Sequence, residues 1–267
     1  MIEMRNILEI KKLKVDFFIN DRIFTAVQEA DLSIGEAEVL VLAGESGSGK
    51  TITALSVTKI LPKTASIASG SIIFNGKELV NLDESSLVNI RGRQIAYIFQ
   101  EPVAYLNPVY SVGNQITEAI MLHQKKSKKE AQKETRELLE LVKLEDAHRV
   151  SRNYPHQLSG GMNQRIFIAM ALACRPKLLI ADEPTTSLDV TVEREILDLL
   201  MELKRKMRFS LLFITHNLSI AKRIADRVCV MFQGKTVEEG KCAEIFSHPA
   251  HFHTRELISA YNKIGRI

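Results

Sequence analysis

An α/β fold is predicted for this chain: a mainly parallel sheet, an antiparallel β-rich start and an α-helical insertion. Three observations predict it. Strand-like apolar runs alternate with helical stretches after about residue 90, strand patterns crowd residues 7–42, and the texture turns helical from about 113 to 172. A length of 267 residues suffices for one large domain, or one domain with a lobe.

At the start, Leu8-Glu9-Ile10, Lys14-Val15-Asp16-Phe17 and Leu32-Ser33-Ile34 read as separate strands, with Asn20-Asp21 as a turn between the first two. The apolar run Val39–Ala43 then leads into Gly44, Glu45, Ser46, Gly47, Ser48, Gly49, Lys50 and Thr51. Strand, glycine-rich loop and helix in that order form a phosphate-binding loop. Its glycines let successive N–H groups converge on one anion, and the helix that follows adds its positive end. Lys50 is expected to reach the terminal phosphates of a nucleoside triphosphate, and the Thr51 hydroxyl to sit on magnesium.

Next, residues 70–76 read as a strand closed by the Asn75-Gly76 turn, and residues 94–99 as a strand ending at Gln100. Residues 130–144 are rich in helix formers, with Leu138, Leu141, Val142 and Leu144 along one face. The cluster Lys125, Lys126, Lys128 and Lys129 reads as the solvated start of that helix, with a contact patch for acidic lipid or RNA as the alternative. Ser159, Gly160, Gly161 and Met162 precede an apolar helical run, so the N–H groups of a helix start are exposed there. This second phosphate-binding device is redundant for one nucleotide in one subunit. It has a use if it binds the nucleotide held by another subunit.

The buried-strand run 177–181 delivers Asp182 and Glu183 at its carboxyl end, where ligands sit in open α/β sheets. Asp182 is suited to magnesium, held through water, and Glu183 to polarising the water that attacks the γ-phosphate. A helix over 190–207, a strand over 210–215 ending before His216, and a final strand over 228–232 before Gln233-Gly234 complete the pattern.

Bulk composition sets limits. Hydrophobic content of 45% and charged content of 25% are those of an ordinary globular protein, and a net charge of +4 supports no nucleic-acid role. No apolar run approaches the roughly 18–20 residues of a membrane span, and the first residues lack the layout of a secretory signal. Cys174, Cys229 and Cys242 have no paired or metal-ligand spacing and fit a reducing cytoplasm.

Gln100, Ser159 to Met162, Asp182-Glu183, Ser187-Leu188-Asp189 and His216, with the phosphate loop, resemble the ordered motif set of ABC-transporter ATPase subunits. The resemblance runs from about Leu8 to Ile258. More closely, Ile98-Phe99-Gln100-Glu101-Pro102, Leu106-Asn107-Pro108 and the tail from His248 to Leu257 resemble the dipeptide/oligopeptide/nickel importer group, and the stretch 168–191 its first-ATPase type. This implies a P-loop NTPase core of the ABC ATPase fold over 1–232, a helical subdomain over about 101–172, and an importer-type extension over 233–267. Departures are Phe252 and His253 where the tail usually has Pro and Tyr, Asn163 where Arg or Gln is usual, and Ala37 at the usual turn glycine. A rebuilt turn is expected at Ala37, and no iron–sulfur cluster is expected because the cysteine-bearing extension is not part of the chain.

The resemblance also implies two ATPases facing head to tail, each ATP lying between one phosphate loop and the other's Ser159 loop. It implies that Phe17 (with Phe18 as the alternative) stacks on adenine, Gln100 touches magnesium and the attacking water, His216 contacts the γ-phosphate, and Asp189 orders the dimer interface. The implied partners are a second ATPase subunit (a heterodimer), two membrane permease subunits and an extracytoplasmic solute-binding protein, with ATP and Mg2+ and no nucleic acid. The implied place is the cytoplasmic face of a bacterial membrane, and the cargo is peptides or nickel and related chelates. The alternatives are a soluble ABC ATPase of nucleic-acid maintenance, for which the span from Thr51 to Ser159 leaves no room for long coiled coils, and an exporter ATPase, against which the tail argues.

Overall fold

The computed structural model describes residues 6–264, without the side chains of 263 and 264. In chain order its elements begin β1 (Asn6–Ile19), β2 (Arg22–Gly35), β3 (Val39–Ala43), α1 (Lys50–Ser56), β4 (Ala65–Phe74), β5 (Lys77–Glu78) and α2 (Glu84–Val88). There follow β6 (Ile95–Ile98), α3 (Pro102–Tyr105), α4 (Val112–Gln124), α5 (Lys128–Leu141), α6 (Ala147–Val150), α7 (Gly160–Leu172), β7 (Leu178–Asp182) and α8 (Val190–Met207). The chain finishes with β8 (Ser210–Thr215), α9 (Leu218–Ile224), β9 (Arg227–Phe232), β10 (Lys235–Lys241), α10 (Cys242–Ser247) and α11 (Phe252–Ile264).

These elements form two compact units. One holds the described residues up to Leu87 together with those from Ser210 onward, and the other spans Val88–Phe209. The residues expected as a helical subdomain lie in the second unit. Those expected as an extension, from 233 on, lie in the first and open with β10, which pairs antiparallel with β9.

Within the first unit the strand order is β5-β4-β1-β2-β10-β9-β3-β8. Strands β3, β8 and β9 run parallel, and every residue of β3 and β8 is buried. That is why both read as unbroken apolar runs rather than alternating ones. The antiparallel start is β4-β1-β2. Its hairpins close on two-residue turns whose residues all have positive φ: Asn20 and Asp21 at 49° and 59°, Asn75 and Gly76 at 48° and 79°. Gln233 and Gly234, at 47° and 76°, close β9 onto β10 in the same way. Such turns match the natural twist of paired strands.

Two expectations need correction. Leu8–Ile10 and Lys14–Phe17 are not separate strands but parts of β1, and Asn20-Asp21 turns β1 into β2. The alternation fails in the middle of β1 because the register shifts between Ile10 and Leu13, where Lys12 adopts a φ of 48° and donates its N–H to Asp31 Oδ1 at 3.0 Å. A β-bulge of this kind bends the strand without ending it. Nor is the turn at Ala37 rebuilt: Ala37 itself takes a φ of 55°. The Ser210 hydroxyl braces it, accepting from Ala37 N–H and donating to the Gly35 carbonyl, both at 2.9 Å.

In the second unit β6 and β7 pair in parallel, Ile95 to Ile98 against Leu178 to Ala181. Helix α5 begins at Lys128 behind a complete capping box, the Ser127 hydroxyl accepting from Glu130 N–H and the Glu130 carboxylate accepting from Ser127 N–H. Lys128 and Lys129 lie exposed in its first turn, so that part of the lysine cluster is a solvated helix face.

Candidate functional site

Site residues of the first unit gather at the carboxyl ends of β3 and β8. Ala43 pairs with Thr215, so Gly44 and His216 leave the sheet side by side. A β-carbon on Gly44, at a φ of 155°, would overlap the Met231 carbonyl oxygen, and one on Gly49, at 105°, would lie 2.9 Å from the Ala26 carbonyl oxygen. Only glycine lets the loop press this closely onto β9 and β2. The Ser48 carbonyl accepts from Gly234 N–H at 3.0 Å, which ties the loop to the β9–β10 turn.

Lys50 is 5% exposed, and its ammonium donates to the carbonyls of Gly44 at 2.8 Å and Glu45 at 2.7 Å. The loop thus surrounds the ammonium with its own carbonyls and leaves Glu45, Ser46, Gly47 and Thr51 exposed on its rim. His216 is also exposed; Asn217 beside it caps α9 by accepting from Ser219 N–H.

Phe17 and Phe18 can be told apart by register. Val27 reaches to 3.5 Å from the β-carbon position of Gly49, and Val27 pairs with Val15. Side chains alternate along a strand, so Phe17 shares the phosphate-loop face with Val15 and Phe18 points the other way. Phe17 is half-buried and pairs with Phe24, whereas Phe18 is 54% exposed.

In the second unit, Gln100 and the two carboxylates are neighbours for the same topological reason. Ile98 pairs with Ala181, so Phe99-Gln100 and Asp182-Glu183 emerge together from the ends of β6 and β7. Gln100 is exposed, and Asp182 is 8% exposed. Glu183 takes a φ of 44°, an uncommon conformation for a long side chain. The Thr186 hydroxyl donates to Glu183 Oε2 at 2.9 Å, and the Thr186 N–H donates to its carbonyl. This turn fixes the carboxylate at the strand end, and strain of this kind concentrates at functional positions.

Ser159 caps α7, accepting from Met162 N–H at 3.3 Å, while Ser159 and Gly160 stay exposed. Asp189 caps α8 and accepts from Thr191 and Val192 N–H. The two caps meet: a β-carbon on Gly160 would lie 3.7 Å from Leu188, and one on Gly161 would lie 2.8 Å from Val192 Cγ1. Asn163 is buried and donates to the carbonyls of Pro155 at 3.0 Å and Leu158 at 3.3 Å, so it holds the segment that leads into the Ser159 turn.

One feature of this site escaped the sequence. Phe99 stacks on Tyr105 at 4.3 Å between ring centroids, and Tyr105 on Phe167 at 6.0 Å. These rings join the strand end at Gln100, helix α3 and helix α7. The sequence signals were Phe99 directly before Gln100 and Tyr105 a few positions after it; Phe167 is far away in sequence. In the tail, His253 is 4% exposed and lies over Phe232 at 3.8 Å, filling a stacked position, while Phe252 is 64% exposed.

The donors each unit offers are hard oxygens, the Thr51 hydroxyl in the first and the Asp182 carboxylate and Gln100 amide in the second, a type that suits magnesium better than a softer metal. Among the described residues no cluster of three or more His, Cys, Asp or Glu side chains could hold a metal alone. Nor, among them, is any helix long and apolar enough to cross a membrane.

Comparison with known proteins sets these parts in a family. Residues 27–186 match the family described as ABC transporter. A Brucella ovis protein named for peptide import and ATP binding is 45% identical over 265 residues, covering 97% of this chain and 78% of that protein. The glutathione import ATP-binding protein of Shigella boydii is 42% identical over 270 residues, covering 99% of this chain but 43% of its own length. Among solved structures, the dimeric post-hydrolysis ATP-binding cassette MJ0796, bound to ADP and Pi, is 26% identical with a TM-score of 0.78, over 88% of this chain and 98% of that one.

Proposed function

The chain belongs to the ABC transporter family, and on that premise we propose that it is the ATP-binding and ATP-hydrolysing subunit of an importer for peptides. One observation carries the reading: the chain has two phosphate-type turns, the Lys50 loop and the Ser159-capped start of the 13-residue α7, each with exposed residues at its rim. In this reading ATP held by one phosphate loop is completed by the Ser159 loop of a facing ATPase subunit. The dimeric form of the cassette solved with ADP and Pi supports it.

Each residue then has a task. The loop from Gly44 to Thr51 holds the phosphates, Lys50 turning its ammonium from its own carbonyls to theirs, and Phe17 stacks on the base. Glu183 takes the proton of the attacking water, while Gln100 and His216 orient that water and the γ-phosphate. Asp189 holds the start of α8 at the interface. Thr51, Gln100 and Asp182 would hold Mg2+, which supplies charge neutralisation on the phosphates.

Closing of the two ATPases on ATP shifts two membrane permease subunits, because ATP binds the closed form better than the open one. The helical segment from about 113 to 172, with the loop after Gln100, receives a helix of a permease, and the Phe99–Tyr105–Phe167 stack links that region to α7. The subunit is thus peripheral, on the cytoplasmic face, and an extracytoplasmic solute-binding protein delivers the cargo. Names given to relatives for peptide and glutathione import favour peptides over nickel chelates.

Reconstitution of the chain with its permeases and binding protein in vesicles tests this. ATP hydrolysis should rise when the binding protein is loaded with di- or oligopeptides. Stimulation by nickel chelates alone would reassign the cargo, and hydrolysis indifferent to the membrane subunits would remove the transport role.

A further inference from the structure

The hairpin of β1 and β2 carries a second phenylalanine directly across from Phe17. Val15 pairs with Val27, and an unbroken antiparallel register would then set Phe17 opposite Thr25. A β-bulge between Val15 and Asp16 leaves Ala26 unopposed, so Asp16 faces Thr25 and Phe17 faces Phe24. Side chains alternate along a strand, so this slip of one residue carries Phe24 from the far face of the hairpin to the face of Phe17. The slip is held by a hydrogen bond: the Thr25 hydroxyl donates to Oδ1 of the buried Asp16 at 2.6 Å.

The phosphate-loop face of the hairpin then runs outward in pairs. Val15 and Val27 are fully buried, and Val27 reaches to 3.5 Å from the β-carbon position of Gly49. Phe17 and Phe24 form the next pair on this face, about 7 Å further along β1, which leaves the room of a ribose between ring pair and loop. Phe17 is half-buried and Phe24 is 62% exposed. Most of the Phe24 ring is therefore free of contacts within the chain. Ile23 is as exposed, at 65%, but pairs with Phe18 on the other face.

We propose that Phe24 is a second base-contacting residue, so that the purine ring of ATP lies against Phe24 as well as Phe17. The inference rests on the reading that the phosphate loop holds ATP with its base on Phe17, and adds a residue that sets the preference among bases. Phenylalanine offers ring surface and no hydrogen bond, so such a pair grips by stacked area. A purine, with two fused rings, gains more from it than a pyrimidine does.

Displacement of ribose-labelled fluorescent ATP from the full chain measures the affinities of ATP, CTP and inorganic triphosphate. Phe24→Ala should weaken ATP about tenfold, a loss worth about 1.4 kcal/mol. CTP should weaken less, and inorganic triphosphate, which has no base, should bind as before. Phe24→Tyr, which keeps the ring, should retain the affinity for ATP, and Ile23→Ala on the other face should change nothing. Equal weakening of ATP and inorganic triphosphate would overturn the inference, because Phe24 would then act through the phosphate loop. A loss in Ile23→Ala as large as that in Phe24→Ala would overturn it too, as the mark of a disturbed hairpin. Unchanged ATP affinity in Phe24→Ala, with Phe17→Ala weakened, would overturn the inference and leave the base site standing. Unchanged affinity in both would overturn the base-site reading itself.

Discussion

Alanine at Gly161 separates two properties of the turn before α7, its packing and its contact with nucleotide. The added β-carbon would lie 2.8 Å from Val192 Cγ1, whereas carbon atoms rest about 3.5–4.0 Å apart. Something must move by roughly 1 Å, and forcing a methyl into a packed site costs about 1–3 kcal/mol. Alanine is favoured over glycine inside a helix by about 1 kcal/mol, so the net loss should be about 0–2 kcal/mol. Val192→Ala removes the obstructing methyls, and in that background Gly161→Ala should change sign and stabilise by about 1 kcal/mol. The coupling between the two substitutions is then about 1–3 kcal/mol. Urea denaturation of the four chains, followed by circular dichroism, measures it. Additivity within about 0.5 kcal/mol would refute the packing argument. The ATPase assay asks the other question. If the Ser159 turn approaches a phosphate, the β-carbon obstructs it in either background, and turnover stays low in the double variant although stability has returned.

Other consequences are as direct. Glu183→Gln in the reconstituted complex should lower turnover by about 10²–10⁴ with ATP affinity unchanged, since only the proton acceptor is lost; equal turnover would remove Glu183 from the chemistry. Lys50→Ala should abolish binding in a fluorescent-nucleotide titration. Ala37→Gly should stabilise by about 0.5–1 kcal/mol, because relief of a left-handed alanine, about 1–2 kcal/mol, exceeds the entropy glycine adds to the unfolded chain, about 0.4–1 kcal/mol; a lower unfolding midpoint would contradict the φ of 55°. Burial pushes the thiols of Cys229, Cys174 and Cys242 above their ordinary range, Cys229 furthest, so Cys229 should react with a disulfide reagent at pH 8 only after unfolding.

Much of the site could be read from local sequence because its devices are local. The phosphate loop, the Ser159 cap and Asp182-Glu183 are contiguous, and each declares itself by residue type at fixed spacing. Buried parallel strands such as β3 and β8 were equally legible, since burial on both faces leaves an unbroken apolar run. What could not be read depends on distant partners. The bulge at Lys12 breaks the alternation of β1 and disguises one strand as two, and only its pairing with β2 and β4 reveals continuity. Ala37 looked like a lost glycine turn because sequence shows the unfavourable residue and not the Ser210 hydroxyl that braces it. The ring stack from Phe99 to Phe167 joins residues with no periodic relation.

Vanadate trapping of the assembled transporter is the most direct test of the shared nucleotide site. Vanadate replaces the γ-phosphate after hydrolysis, and ultraviolet light then cuts the backbone beside it. The account predicts cuts at Ser159 as well as in the loop from Gly44 to Thr51, both dependent on ATP. Cuts confined to the phosphate loop, with Ser159 intact, would contradict it.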